Sequence, residues 1–331
     1  MTKISEIGLK IINLRQIYEK KKRIAYDSKL KALYLCIMNS ILLKANKKIY
    51  FASDFHLGVP THEASVARER KICAWLESIR HDAQVIFLVG DIFDFWFEYK
   101  KVIPKGFIRL QGKLAELSDA GIEIIFFTGN HDMWMQGYFE QEIGVKVFRE
   151  PLQLSVISEQ LPVNSKQLPS SKQDLVSNEP LITDNNCLLF TDNCSLFYIA
   201  HGDGLGPGDY GYKLLKILFE SRFCRWAFGW LHPNIGLWLA HRWSGSRKTD
   251  DNFALSKQFH GKKGEWLFLH AQNVEAIQHH DFYILGHRHL MLDMKVNENA
   301  RYINLGEWFS GFDDCYYAIF DGKNLNLKRF E

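Results

Sequence analysis

Continuous apolar runs that stop abruptly on polar residues recur along this chain. In the first of them, Ile49-Tyr50-Phe51-Ala52 ends on Ser53-Asp54 and reaches His56 two residues later. A strand covered on both faces reads as such a run, because nothing along it needs to face water. The pattern predicts strands over 49–53, 83–89 and 122–128, with helices over 64–79 and 107–120 between them. Strand, helix, strand alternation implies parallel pairing through crossovers. Further runs predict strands over 195–200, 282–285, 300–304, 315–320 and 325–330, and a helix over 264–276.

Three stretches break this rhythm. Residues 1–46 are lysine-rich and helix-compatible, and are read as an N-terminal extension without nameable chemistry. Met38 lies shortly before the first strand and is an expected alternative translation start. Residues 150–193, rich in Ser, Asn, Gln and Pro, read as a mobile surface insertion between two short strands. Residues 210–243 instead gather Phe223, Trp226, Phe228, Trp230 and Trp238 among few charges.

Composition narrows the class more than the function. With 331 residues, 47% hydrophobic and 24% charged, the chain can bury one large core with an appendage. A net charge of +3 is too small to argue for nucleic acid. Six cysteines without C-x-x-C spacing argue against a zinc ribbon or redox pair, and no secretory pattern opens the chain; a reducing cytosol is expected. The aromatic stretch is interrupted by Arg225, His232, Pro233 and Asn234, so a membrane-spanning helix is not expected.

The chemistry sits where the runs end. In chain order the fragments are Asp54-x-His56, Gly90-Asp91-x-x-Asp94, Gly129-Asn130-His131-Asp132, His201-Gly202-Asp203 and Gly286-His287-Arg288-His289. Carboxylate, imidazole and amide oxygen without thiolate suit Mn²⁺, Fe, Zn²⁺ or Mg²⁺. Five of the thirteen histidines fall in these fragments, more than a structural role predicts.

Together the five fragments resemble the calcineurin-like metallophosphoesterase superfamily, in order and with none missing. The resemblance runs from about residue 48 to the C-terminus, interrupted by the polar insertion. It implies an α/β fold, a four-layer α-β-β-α sandwich over 47–331, with a helical lid over about 205–262. It also implies two divalent metal ions, of which manganese is the expected kind. One would take Asp54, His56, Asp91 and His289, the other Asp91, Asn130, His201 and His287. Two cations held close together need an anionic bridge, which Asp91 can supply. Asp94 and Asp132 are expected to orient ligands, and His131 to act in catalysis.

The finer pattern is similar to the UDP-2,3-diacylglucosamine hydrolase family of lipid A synthesis. It rests on Ser53-Asp54-Phe55-His56-Leu57-Gly58, on Gly90-Asp91-Ile92-Phe93-Asp94-Phe95-Trp96, and on His201-Gly202-Asp203-Gly204-Leu205 leading to Asp209 and Tyr212. That resemblance implies a UDP-diacylglucosamine-type lipid substrate, met by Asn130, His131, Asp209 and Tyr212. It also implies a peripheral enzyme on the cytoplasmic face of the inner membrane. Arg247 and Lys248 are candidate phosphate partners at the lid's edge. The chain departs at His131, where proteobacterial members carry arginine; His131 is therefore read as a charge stabiliser. The aromatic lid is expected to hold lipid tails and touch the membrane surface. Its alternative is a cap on the core. The rival functions are a phosphatase or phosphodiesterase on the same scaffold, and a scaffold protein without catalysis.

Overall fold

Strand pairing divides the chain into two sheets that lie face to face. The structure, a computed structural model, describes residues 39–159, 194–208, 210–245, 258–311 and 314–331. One sheet contains β1 (Ser40–Leu43), β6 (Leu152–Ser158), β7 (Cys194–Ala200), β8 (Phe282–Leu285), β10 (Arg301–Leu305) and β9 (Met291–Lys295), in that spatial order. The other runs β12 (Leu325–Arg329), β11 (Tyr316–Phe320), β2 (Lys48–Ala52), β3 (Ala83–Val89), β4 (Glu123–Phe127), β5 (Lys146–Phe148). As the alternation predicts, β2, β3 and β4 are parallel; β5, which the sequence pattern did not announce, adds to them in parallel, and β7, β8 and β10 are parallel as well.

The apolar runs are continuous because each strand feeds two cores. From β2, Ile49 and Phe51 point between the sheets, whereas Tyr50 and Ala52 point outward to helices. Phe51 reaches Phe197 of the opposite sheet, their ring centres 6.0 Å apart. The outer face of the β2–β3–β4 sheet is covered by α1 (His62–Ile79) and α2 (Ile108–Asp119). Leu267, Phe268 and Ala271 of α6 (Trp266–Glu275) cover the outer face of the β7–β8–β10 sheet. The four layers are therefore α-β-β-α.

Two expectations need correction. Residues 40–43 form an edge strand, paired in parallel with β6, and do not belong to a helical extension; their run is only four residues long in a lysine-rich setting. Likewise Leu152–Ser158 is strand β6, antiparallel to β7, so the polar insertion is shorter than residues 150–193. Residues 1–38 and 160–193 lie outside the described residues. α1 begins two residues before its expected start because Thr61 caps it, accepting the Ala64 N–H at 3.2 Å.

Among the described residues, three helices stand between β7 and α6: α3 (Tyr210–Glu220), α4 (Arg222–Gly229) and α5 (Pro233–Gly245). No side chain of α3 or α4 is fully buried. Phe228 does cap the body, packing on Phe97 and Trp134 at 4.6 and 4.7 Å. Phe223, Trp226, Trp230 and Trp238 do not: they are 72, 60, 77 and 58% exposed. No described helix is long and apolar enough to cross a membrane.

Candidate active site

All five chemical fragments leave the carboxyl ends of strands, and parallel pairing gathers those ends. Asp54 and His56 follow β2, Asp91 follows β3, and Asn130, His131 and Asp132 follow β4. From the facing sheet, His201 follows β7 and His287 and His289 follow β8. The loops continue the strand pairing: Asp54 N–H donates to Gly90 O at 3.0 Å, His56 N–H to Asp91 O at 3.0 Å, and Gly286 N–H to His201 O at 2.9 Å.

Forcing these side chains together costs backbone strain. Asp54, His56, Asp91, His287 and His289 all adopt positive φ, between 44° and 68°. That conformation costs a non-glycine residue roughly 1–2 kcal/mol. Glycine is required beside them: a Cβ on Gly90, at φ 84°, would collide with the His201 ring, and one on Gly129 would collide with the Asp91 carboxylate.

Three groups of candidate donors result among the described residues; Asp91 belongs to two of them, and His56, Asp94 and His131 form the third. Ligand atoms of Asp54, His56, Asp91 and His289 lie within 4.8 Å of one another, as do those of Asp91, His201 and His287. Asp91 Oδ2 stands 3.8 Å from His56 Nε2 and 3.3 Å from His201 Nε2. His56 Nε2 and His289 Nε2 face each other at 3.1 Å, and Asp54 Oδ1 is 3.3 Å from His289 Nε2. Ligands about 2.1 Å from one cation stand about 3 Å apart when at right angles, so these spacings fit a shared ion. Asp54 Oδ1, Asn130 Oδ1 and His201 Nε2 are buried without a hydrogen-bond partner. Buried acceptors left without a partner are what a cation satisfies.

Supporting contacts fix tautomers and loops. The His201 Nδ1–H donates to Val89 O at 2.8 Å, which leaves Nε2 as a lone-pair donor. Asp132 does not touch a ligand side chain: its oxygens accept the N–H groups of Ile92 and Gly129 at 2.8 and 2.7 Å, tying together the loops of Asp91 and Asn130. The Asp94 carboxylate lies 3.6 Å from His56 Nδ1 and 3.5 Å from His131 Nδ1. His131 donates its backbone N–H to Asp91 Oδ1 at 2.9 Å and its Nδ1–H to Asp94 O at 2.8 Å.

Electrostatics express a demand for positive charge. Burial opposes ionisation of Asp54 and Asp91, yet the imidazoles around them hold both carboxyls well below the usual range. Burial likewise opposes a proton on His56, but Asp54 and Asp94 raise it to about 9. For His287, burial and the neighbouring His201 push the value down to about 4. Burial and the Asp91 charge raise Asp132 to about 7. Burial lowers His131 despite Asp91 and Asp94.

Of the expected substrate residues, His131 stands among the donors with His56 and Asp94, and Asn130 precedes it with its Oδ1 buried. Tyr212 lies on α3 and donates its hydroxyl to Asp203 at 3.0 Å. Asp209, Arg247 and Lys248 lie outside the described residues. Sequence reasoning missed Arg68, a buried guanidinium on α1 that donates to the carbonyls of Phe55 and His56 at 3.1 and 2.7 Å. It also missed Phe309, whose ring packs edge-on against His56 at 4.8 Å and His289 at 5.2 Å. An arginine in a helix and a phenylalanine in a loop carry no signal in spacing alone.

A sandwich with paired donor clusters at its strand ends defines a metal-dependent hydrolase, and residues 47–291 match the family model for calcineurin-like phosphoesterases. The chain belongs to that family. A UDP-2,3-diacylglucosamine hydrolase from Porphyromonas gingivalis is 36% identical over 299 residues, covering 86% of this chain and 98% of its own. Another enzyme of that name, from Aeromonas hydrophila, is 22% identical over 271 residues, covering 78% of this chain and 90% of its own. Among solved structures, a dimetal phosphatase from Danio rerio is 11% identical with a TM-score of 0.37, covering 86% of this chain and 96% of its own.

Proposed function

We propose that this enzyme cleaves the pyrophosphate of UDP-2,3-diacylglucosamine, releasing UMP and 2,3-diacylglucosamine 1-phosphate. The observation that carries the reading is the exposed aromatic helical layer fastened directly to the loop bearing Asn130 and His131. Trp134, three residues after His131, donates its indole N–H to Phe219 O of α3 at 2.9 Å. The likeness to the Porphyromonas gingivalis hydrolase supports the same substrate.

Asp54, His56, Asp91 and His289 would hold one divalent cation, and Asp91, Asn130, His201 and His287 the other, with manganese the expected metal in both. Bound there, two such ions make water a nucleophile near neutral pH and polarise phosphoryl oxygens. The chain's own residues then orient the reaction. Asp91, which lies in both sets of candidate ligands, would hold both cations, while its Oδ1 accepts the His131 backbone N–H. Attack at the α-phosphorus breaks its bond to the bridging oxygen, which leaves on the lipid phosphate. That leaving group has a second pKa of about 6 and needs little protonation. His131, with Nδ1 engaged by Asp94 O, keeps Nε2 for the phosphoryl group, whose charge favours the imidazolium.

The lid's exposed aromatics would take the acyl chains and rest on the cytoplasmic membrane surface. Arg222, Arg225 and Arg242 on α4 and α5 add positive charge facing anionic headgroups. Mass-spectrometric product identification tests the reading. UMP with a lipid phosphate is expected; preferential hydrolysis of UDP-glucosamine or a generic aryl phosphate would instead support a phosphatase acting on soluble substrates.

A further inference from the structure

We infer that Arg288, through its buried pair with Glu265, is a positioning residue that holds His287 and His289 in ligating geometry; the inference rests on the two-metal reading above. Arg288 lies between these two histidines, and both of them have left-handed backbone, at φ 68° and 52°. The Arg288 N–H closes back onto Gly286 O at 2.8 Å, a three-residue turn centred on His287. Positive-φ turns of this size are rare and strained, so this one persists only if its surroundings over-determine it. Two of the restraints are visible on its inner side. His287 N–H donates to Asp54 Oδ2 at 3.0 Å, and Asn304 Nδ2 donates to Gly286 O at 2.5 Å.

The Arg288 side chain supplies the outer restraint. Its Nε and Nη2 donate to the two oxygens of Glu265 at 2.6 and 3.2 Å, a fork-on-carboxylate pair. Both partners are buried. The guanidinium also lies 4.5 Å from the centre of the Trp266 ring and donates to Gln258 O at 3.2 Å. Glu265 occupies the N-cap position of α6 yet makes no capping hydrogen bond, because its carboxylate is spent on Arg288. A helix start is thus left uncapped to grip the residue between two candidate ligands.

The pair is distinct from the carboxylates inside the cleft, since neither Arg288 nor Glu265 belongs to a donor group and the pair acts through the backbone turn. It also ties the segment returning from the lid, at Gln258, to that turn. Lysine could keep the charge but not the planar fork.

The test titrates Mn²⁺ and Co²⁺ into the full-length protein, following binding calorimetrically and the Co²⁺ visible spectrum. Variants are Arg288→Lys, Glu265→Gln and, as a control, Arg301→Gln, which breaks an exposed pair with Asp293 in the same sheet. The expected result is metal affinity lowered about 10- to 100-fold in both pair variants, with a changed Co²⁺ spectrum and native far-ultraviolet dichroism. Arg301→Gln leaves both metal readouts unchanged. Should a pair variant fail to fold, the Arg288→Leu, Glu265→Met double replacement, which removes both charges together, carries the same readouts. Wild-type affinity and spectrum in any folded pair variant would overturn the inference. Failure of the wild type to bind either metal would instead overturn the two-metal reading itself.

Discussion

Trp134 and Phe219 are joined by a hydrogen bond of 2.9 Å from indole N–H to backbone carbonyl, and through it the lid is fastened to the loop that carries His131. Phe228 wedges against the same indole and against Phe97. Replacing Phe228 with alanine removes that wedge while leaving every candidate ligand in place. Hydrolysis of UDP-diacylglucosamine should fall about tenfold or more in kcat/KM, from lost positioning, while a small aryl phosphodiester is turned over as before. Parallel kinetics on the two substrates check this; equal losses on both would mean that the wedge supports the body and not lipid recognition.

His131 is anchored by Asp91 and Asp94 O, and its ring packs edge-on against His56 with about a fifth of the side chain exposed. If its task is to offset phosphoryl charge, His131→Arg keeps activity within about fivefold and His131→Ala loses about 10²-fold. Steady-state rates under saturating Mn²⁺ measure both. Equal loss in the two variants contradicts the assignment.

Trp226 and Trp230 stand largely in water on α4 and just beyond it. Serine at both positions should weaken binding to vesicles containing anionic lipid by about tenfold or more, from the lost apolar area. Co-sedimentation reads the effect, and the melting temperature should hardly change because neither residue is buried.

Away from the cleft, His280 is buried, its Nδ1 beside Gln278 O and the Tyr283 hydroxyl, and burial lowers its pKa to about 4. The unfolded chain therefore takes up this proton first as pH falls. Its contribution is constant above about pH 7 and is lost as pH drops from about 6.5 to about 4, by up to roughly 3 kcal/mol. Melting temperatures across that window should fall less steeply for His280→Phe than for the wild type.

The strands were legible wherever a run was long and doubly covered, as in β2 and β3, whose alternate residues fill different cores. Two strands were not: edge strand β1 offers only four residues, and β6, inside the sheet between β1 and β7, merges into a polar stretch. Candidate ligands could be read because each ends a strand and parallel pairing does the gathering. What holds them is spread across elements remote in sequence. Arg68 comes from a helix, Asn304 from a following strand and Glu265 from a helix cap, and no local pattern announces a residue whose partner is a backbone carbonyl or an arginine elsewhere.

The central claim is that Asp91 joins two cations at the meeting of the sheets. Crystals soaked in manganese and measured at the manganese absorption edge test it directly. The account predicts two anomalous peaks, both within bonding distance of the Asp91 carboxylate, one shared with His56 and His289 and the other with His201 and His287. A single peak, or two with neither touching Asp91, would contradict it.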